Sequence, residues 1–134
     1  MSTVGAIALS GMNAATLRLD AAASNIANVR SNGPLPDAAN AATHAPAYKP
    51  LEVDQTPNAS GGVSANVSPA TRDAIAVYDP HAPYANADGL VATPDVDLAH
   101  EMVQLITARY AFAANVQVAR TDDEIWASLL SITI

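Results

Sequence analysis

The chain has 134 residues, half of them apolar, and a formal net charge of −7, so it fits one ordinary domain and is short for two independent cores. Its six basic residues are scattered along the sequence, and the lack of a basic patch argues against binding to nucleic acid or to an anionic membrane. Cysteine is absent, which excludes disulfide bonds and thiolate metal sites.

The first residues are apolar and small but do not have the layout of a signal peptide, because the first positive charge is Arg18. The uncharged stretch stops at Leu17 and contains Ser, Thr, Asn and Gly, which makes it too short and too polar for a membrane span of about 20 apolar residues. We therefore expect no cleaved signal peptide and no membrane insertion.

All nine prolines lie between Pro34 and Pro94. Proline interrupts a helix interior, so long helices are expected only at the two ends of the chain. The sequence thus predicts an N-terminal helix within residues 1–30, a Pro-rich middle region over residues 31–94 with short strands and loops, and a C-terminal helix within residues 95–134 that packs with residues 1–30.

The N-terminal helix is predicted from small and apolar residues that alternate at spacings of three and four. This heptad pattern is typical of a helix that packs lengthwise on another helix. Gly11 lies close to the seam, and its low helix propensity favours a site where two helices nearly touch. The seam residues are Gly5, Ala8, Met12, Ala15, Leu19, Ala22, Ile26 and Val29.

The middle region contains three short runs in which apolar and polar residues alternate, at residues 51–54, 62–68 and 74–78. Such alternation predicts short strands. The Pro-rich and Gly-rich segments between them are predicted to be turns and loops.

The C-terminal helix is predicted to open at residues 93–97, where an Asp provides a preferred N-cap residue, and the acids there and Glu101 suit the helix dipole. Its apolar residues return at helical spacing to the end of the chain. The predicted fold class is therefore mainly α with a small β-containing middle region, in which the long terminal helices pack as an antiparallel coiled-coil-like pair.

Residues with catalytic potential do not cluster in the sequence. His44, His81 and His100 lack metal-ligand spacing, and no phosphate-binding loop, nucleophile elbow or zinc-protease motif is present. Asp95, Asp97 and Glu101 are explained as helix-capping acids. We expect no enzyme activity, no catalytic residues, no metal and no cofactor.

One long motif identifies a family. Residues 8–29 include Gly11-Met12, Arg18-Leu19-Asp20 and Asn25-Ile26-Ala27-Asn28, and they closely resemble the N-terminal signature of the flagellar rod and hook axial proteins. Residues 77–103 resemble the stretch that precedes the terminal helix in the proximal-rod members, the FlgC family. Residues 114–118 continue that helix in the same way. Residues 29–46 depart from the family pattern.

The resemblance implies a structural subunit of the proximal rod of the flagellar basal body, which crosses the periplasm, and export by the flagellar type III apparatus. It implies polymerisation through the terminal helices, with other copies and with the rod proteins FlgB, FlgF, FlgG and FliE as partners. The predicted assembly interface consists of Ala8, Gly11, Met12, Ala15, Leu19, Ala22, Asn25, Ile26, Asn28, Leu98, Met102, Leu105, Phe112, Val116, Trp126 and Leu130.

Two other readings stay open on the sequence. Another axial rod protein such as FlgB would share the terminal motifs, although the sequence of residues 88–97 favours FlgC. A soluble helical binding module would also carry two long helices, and it would be a folded monomer in solution.

Overall fold

A computed structural model describes residues 3–39 and 41–132, and two long helices frame a small β region in it. Within these residues, no helix combines the length and the apolar character that a membrane crossing requires. In chain order, the elements are helix α1 (Thr3–Ala27), strands β1 (Leu51–Pro57), β2 (Val63–Pro69), β3 (Ile75–Tyr78) and β4 (Leu90–Thr93), and helix α2 (Leu98–Ile132).

The two helices pack against each other in antiparallel orientation, which confirms the predicted fold class. Asn25, near the end of α1, bonds Glu101 in the first turn of α2. Towards the start of α1, Gly11 faces Asn115, the middle residue of α2. With 35 residues, α2 spans about 50 Å and α1 about 38 Å.

The start of α2 is fixed by the predicted Asp cap. The Asp97 carboxylate accepts hydrogen bonds from the backbone N–H groups of Ala99 and His100, at 2.9 and 3.1 Å. These bonds satisfy donors that have no partner within the helix itself. The prediction for Asp97 is confirmed.

Strands β1 and β2 form an antiparallel hairpin in which Val53 pairs with Val67, and this hairpin packs on α1. Strands β3 and β4 form a second antiparallel pair, with Val77 opposite Val91. The three predicted strands are confirmed, whereas β4 was not predicted.

The segment between α1 and β1 runs beside the second hairpin. Gly33 exchanges two backbone hydrogen bonds of 2.9 Å with Ala92 of β4, so it extends that sheet by a single bridge. Further along, the rings of His44 and Tyr84 meet edge to face at 5.8 Å. These contacts trace the path of the segment that departs from the family pattern.

The core is built almost entirely from alanine. Of the ten buried hydrophobic residues in the described part of the chain, nine are Ala and the other is Val91. Five of these alanines lie on α1, and Ala108 is their counterpart on α2. Small side chains let the two helices approach closely, but each one removes little apolar surface from water.

Candidate assembly interface

A buried polar cluster surrounds Asn25 near the C-terminal end of α1. Its amide nitrogen donates to the carbonyl oxygen of Leu51 and to Oε1 of Glu101, both at 2.9 Å. Its Oδ1 accepts from the N–H of Leu51 at 2.7 Å and from the Tyr48 hydroxyl at 3.0 Å. Asn25 thereby occupies all four of its hydrogen-bonding positions and joins α1 to the start of β1 and to α2.

The Tyr48 hydroxyl also lies 2.9 Å from the hydroxyl oxygen of Ser24. Because Tyr48 donates its hydrogen to Asn25, Ser24 is the donor in this second bond. Asn25 is 2% exposed, so water does not readily replace a partner that it loses, whereas Glu101 is 8% exposed and lines a groove beside the cluster. Each buried polar group left unsatisfied here would cost about 1–3 kcal/mol.

A groove of about 310 Å³ opens beside this cluster, between α1, β1 and α2. At its wall Nη2 of Arg18 donates to Oε1 of Gln104 at 2.7 Å. At its rim Arg72 makes two long ion pairs, with Glu52 at 3.4 Å and Asp95 at 3.6 Å. Exposed pairs of this kind contribute little stability, but they hold β1 near the segment that leads into α2.

The helices approach each other closely at Gly11, as the sequence predicted. A Cβ atom on Gly11 would lie 2.6–2.7 Å from three side-chain atoms of Asn115, closer than carbon atoms pack. The Asn115 side chain is held in turn, since its Nδ2 donates to the carbonyl oxygen of Ala111 at 2.8 Å. Any side chain at position 11 therefore requires the Asn115 side chain to move.

The neighbouring residue, Ser10, faces the β1–β2 hairpin. Its hydroxyl donates to the carbonyl oxygen of Ile7 at 2.7 Å and accepts from the N–H of Val63 at 3.1 Å. Gly62 lies directly against this hydroxyl. Thus α1 is enclosed by α2 on one side and by the hairpin on another.

The predicted interface residues of α1 lie largely inside the subunit. Ala8, Ala15, Ala22 and Asn25 are buried, so the closed subunit leaves them no surface for another copy. The other five are half-buried: Gly11, Met12, Leu19, Ile26 and Asn28. Of these, Asn28 closes the helix, because its Nδ2 donates to the carbonyl oxygen of Ser24 at 2.9 Å.

The predicted interface residues of α2 are mostly accessible. Leu105 and Val116 are half-buried, and five residues are exposed: Leu98, Met102, Phe112, Trp126 and Leu130. One of these faces α1, because Trp126 and Met12 line the same cleft of about 720 Å³ between the helices. The predicted residues near α1 are therefore buried or half-buried, whereas most of those on α2 are accessible.

Sequence reasoning missed four residues that organise these contacts: Ser10, Tyr48, Glu101 and Asn115. Glu101 was interpreted only as a first-turn acid, although it is buried and bonded to Asn25. The sequence did contain a signal for the buried role of Glu101, because it is a polar residue at a heptad position that faces the other helix. An acid that only interacts with the helix dipole does not need that position. His44, His81 and His100 do not converge, and no metal-binding group of three or more His, Cys, Asp or Glu occurs in the described ranges.

Known proteins give a consistent comparison. The family described as flagellar basal body rod FlgEFG protein C-terminal matches residues 87–132. The flagellar basal-body rod protein FlgC of Salmonella typhimurium strain LT2 is 36% identical over 118 residues, which cover 86% of this chain and 84% of that protein. The FlgC of Agrobacterium fabrum is 29% identical over 132 residues, covering 98% of this chain and 94% of that protein. The FlgC of Bacillus subtilis is 42% identical over 60 residues, covering 44% of this chain and 40% of that protein.

Proposed function

The chain belongs to the FlgC family of flagellar basal-body rod proteins and is a structural subunit of that rod, and from this premise we propose that it polymerises through the accessible apolar face of α2. The proposal concerns how the subunit joins its neighbours. Its partners are further copies of the same chain and the rod proteins FlgB, FlgF, FlgG and FliE.

The apolar surface of α2 carries this proposal. Among the described residues, eighteen large hydrophobic side chains are exposed, and twelve of them lie on α2, whereas α1 and β3 hold three each. Scattered exposed hydrophobic residues are normal on a soluble protein, but their concentration on one element favours an interaction site there. The twelve are Leu98, Met102, Val103, Ile106, Tyr110, Phe112, Val118, Ile125, Trp126, Leu129, Leu130 and Ile132.

The position of this surface suits lateral packing of helices. The buried residues of α2, Glu101 and Ala108, are spaced by seven and face α1, so α1 covers only one side of the helix. Exposed apolar residues recur on the remaining sides from the first turn of α2 to the last. Burying them against helices of neighbouring subunits would add apolar contact that the alanine core of one subunit does not supply.

We further propose that the chain reaches the rod through the flagellar type III apparatus, and that it lies in the part of the rod that crosses the periplasm. The FlgC relatives, which are named as basal-body rod proteins, support this location. A purely structural role without catalysis is supported by the relatives, which are named as rod proteins.

Charge substitutions on matched surfaces test the interface. In the α2 variant, Met102→Asp and Ile106→Asp place two carboxylates on residues that are 50% and 57% exposed. In the control, Ile75→Asp and Val77→Asp change two β3 residues that are 51% and 43% exposed. Because burial of an unpaired charge is costly, only the α2 variant should fail to enter the rod.

The measurements are the amount of each variant exported, its presence in isolated basal bodies, and swimming in soft agar. We expect normal export of both variants, but loss of the α2 variant from basal bodies and loss of swimming. Normal incorporation of the α2 variant would exclude this face from the interface. Failure of both variants would show that the effect is not specific to α2.

A further inference from the structure

The packed face of α1 repeats itself every seven residues. Ala8, Ala15 and Ala22 form one buried row, and Ala14 and Ala21 form a second row beside it. If α2 moved along α1 by one heptad, contacts that α2 makes with alanines of these rows would be replaced by contacts with other alanines of α1. The sizes of these side chains therefore do not determine the register of the two helices.

Three contacts break this repetition: Gly11 faces Asn115, Arg18 donates a hydrogen bond to Gln104, and Asn25 donates one to Glu101. Gly11 and Asn25 are two heptads apart on α1, and Asn115 and Glu101 are two heptads apart on α2, so these contacts form in one register. The Arg18–Gln104 bond is only partly buried, whereas the Asn25–Glu101 contact is a buried hydrogen bond between the helices.

We infer that Asn25 and Glu101 are positioning residues that fix the register of α1 against α2. A slip of one heptad in one direction places Asn25 opposite Ala108, which offers no side-chain acceptor. A slip in the other direction carries Asn25 past the first turn of α2. Either slip removes the bond between the Asn25 amide and the Glu101 carboxylate, and a buried polar group without a partner disfavours the slipped state.

The other residues of the cluster hold Asn25 in place, so that it can bond Glu101 in one register only. Asn25 is held on both sides of its amide by the backbone of Leu51 and by Tyr48, so it cannot turn to follow a displaced Glu101. Buried polar residues in coiled coils are known to select one register at a cost in stability. Here the two partners lie on different helices of the same chain, 76 positions apart in sequence.

The inference concerns pairing within one chain and is independent of the proposed interface between subunits. Its consequence reaches that interface, because a slip of one heptad would move α2 along α1 by about 10 Å. The exposed apolar row of α2 would then be displaced relative to the hairpin that packs on α1.

Engineered disulfides can report the register, since the natural chain contains no cysteine. Three double-cysteine variants are made, each with Asn115→Cys. Gly11→Cys is its partner in the observed register. Val4→Cys and Arg18→Cys are its partners in the registers shifted by one heptad in either direction. A Cβ on Gly11 would reach the side chain of residue 115, which suits a disulfide. Each pair is placed in the full-length chain and oxidised mildly in dilute solution, so that even transient helix pairs are trapped.

Three backgrounds are compared: the natural Glu101, Glu101→Gln and Glu101→Ala. Gln keeps an oxygen that can accept from Asn25, whereas Ala makes position 101 like Ala108. With Glu or Gln, the 11–115 disulfide should exceed each shifted disulfide by roughly tenfold or more. With Ala, that ratio should fall by roughly tenfold and a shifted disulfide should accumulate.

An unchanged preference for the 11–115 disulfide in Glu101→Ala would overturn the inference, even if that variant were less stable. Should Glu101→Ala fail to form any helix pair, Glu101→Leu, which refills the buried space, is tested with the same three pairs. If neither variant pairs its helices while Glu101→Gln does, the cluster acts on stability and not on register, and the inference fails.

Discussion

Gly11 occupies the point where α1 and α2 leave no room for a side chain. Its nearest neighbour across the contact is the Asn115 side chain, whose Nδ2 donates a hydrogen bond to a backbone carbonyl oxygen of α2. A glycine inside a helix costs about 1 kcal/mol relative to alanine, so the close contact compensates for a local loss of stability.

Substitution of Gly11 should therefore couple to Asn115. We expect Gly11→Leu to weaken helix pairing by about 1–3 kcal/mol through overpacking, while Thr16→Leu, on an exposed position of α1, changes little. Gly11→Ala should be tolerated better when Asn115→Ala is also present, because the obstructing side chain is then gone. Because we expect the helices to pair stably only in the assembled rod, the amount of each of the four variants in isolated basal bodies measures the effect, and equal losses for Gly11→Leu and Thr16→Leu would contradict the close approach.

The role of a residue was predictable from the sequence when its hydrogen-bond partners lie a few positions away in the chain. Asp97 caps α2 through the backbone N–H groups two and three residues later, so its role follows from neighbouring residues alone. The role of Glu101 depends on Asn25, and nothing local distinguishes a buried acid from an exposed one in a first turn. The motif residue Asn25 was predicted to be an interface residue, and its hydrogen bonds in the structure are made within the subunit.

At the scale of elements, the β1–β2 hairpin is held to α1 at its tip. Gly62 has a φ of +82°, which an L-residue rarely adopts, and it lies against the Ser10 hydroxyl. The same hydroxyl accepts from the Val63 N–H, so the tip and the helix share one polar contact. The hairpin can keep this position only while residue 62 has no side chain.

A methyl group at this position should release the tip. We expect Gly62→Ala to destabilise the hairpin by about 1–2 kcal/mol, because it combines an unfavourable φ with a steric overlap. Ser60→Ala, in the same turn but exposed, is the matched control and should have little effect. Faster amide exchange at Val63 in the Gly62 variant alone would support this, and equal exchange in both variants would refute it.

The helices and strands were predicted from the positions of proline and from the alternation of apolar and polar residues. Elements that show neither signal were missed. The prolines confined both helices to the ends of the chain, and α1 and α2 lie within the predicted segments. Strand β4 was missed because Leu-Val-Ala-Thr is a short run without alternation, and its burial arises from the bridge to Gly33. That bridge brings together segments almost sixty residues apart, which no local pattern reveals.

At the scale of the whole molecule, many large apolar side chains lie on the surface and mainly small ones are buried, which is the reverse of the arrangement in a domain that folds on its own. In the described part of the chain, the buried hydrophobic residues are almost all alanine, whereas many large apolar residues lie on the surface, mainly on α2. Fully burying a large apolar side chain contributes roughly 1.5–3 kcal/mol, and alanine contributes much less. The subunit thus places its strongest source of hydrophobic stabilisation where only a neighbour can use it.

This distribution predicts that the terminal helices are largely disordered in the isolated monomer and become ordered in the assembled rod. Ordering each backbone residue costs roughly 1–2 kcal/mol, and an alanine contact between two helices offsets little of that cost. The Asn25–Glu101 bond does not change this balance, since buried polar groups select a structure more than they stabilise it. Neighbouring subunits would add the missing burial by covering α2.

Amide hydrogen exchange on the full-length chain measures this directly. In a verified monomer, residues 4–29 and 98–132 should exchange rapidly, with protection factors far below those of a folded domain, because the exchange-competent open state is highly populated. The same residues in isolated basal bodies should be protected, which provides the control within one sequence. Slow exchange across both helices in the monomer would mean that the alanine contact and the polar cluster suffice on their own. The subunit would then fold before it meets its neighbours, and the exposed face of α2 would serve only to join finished subunits.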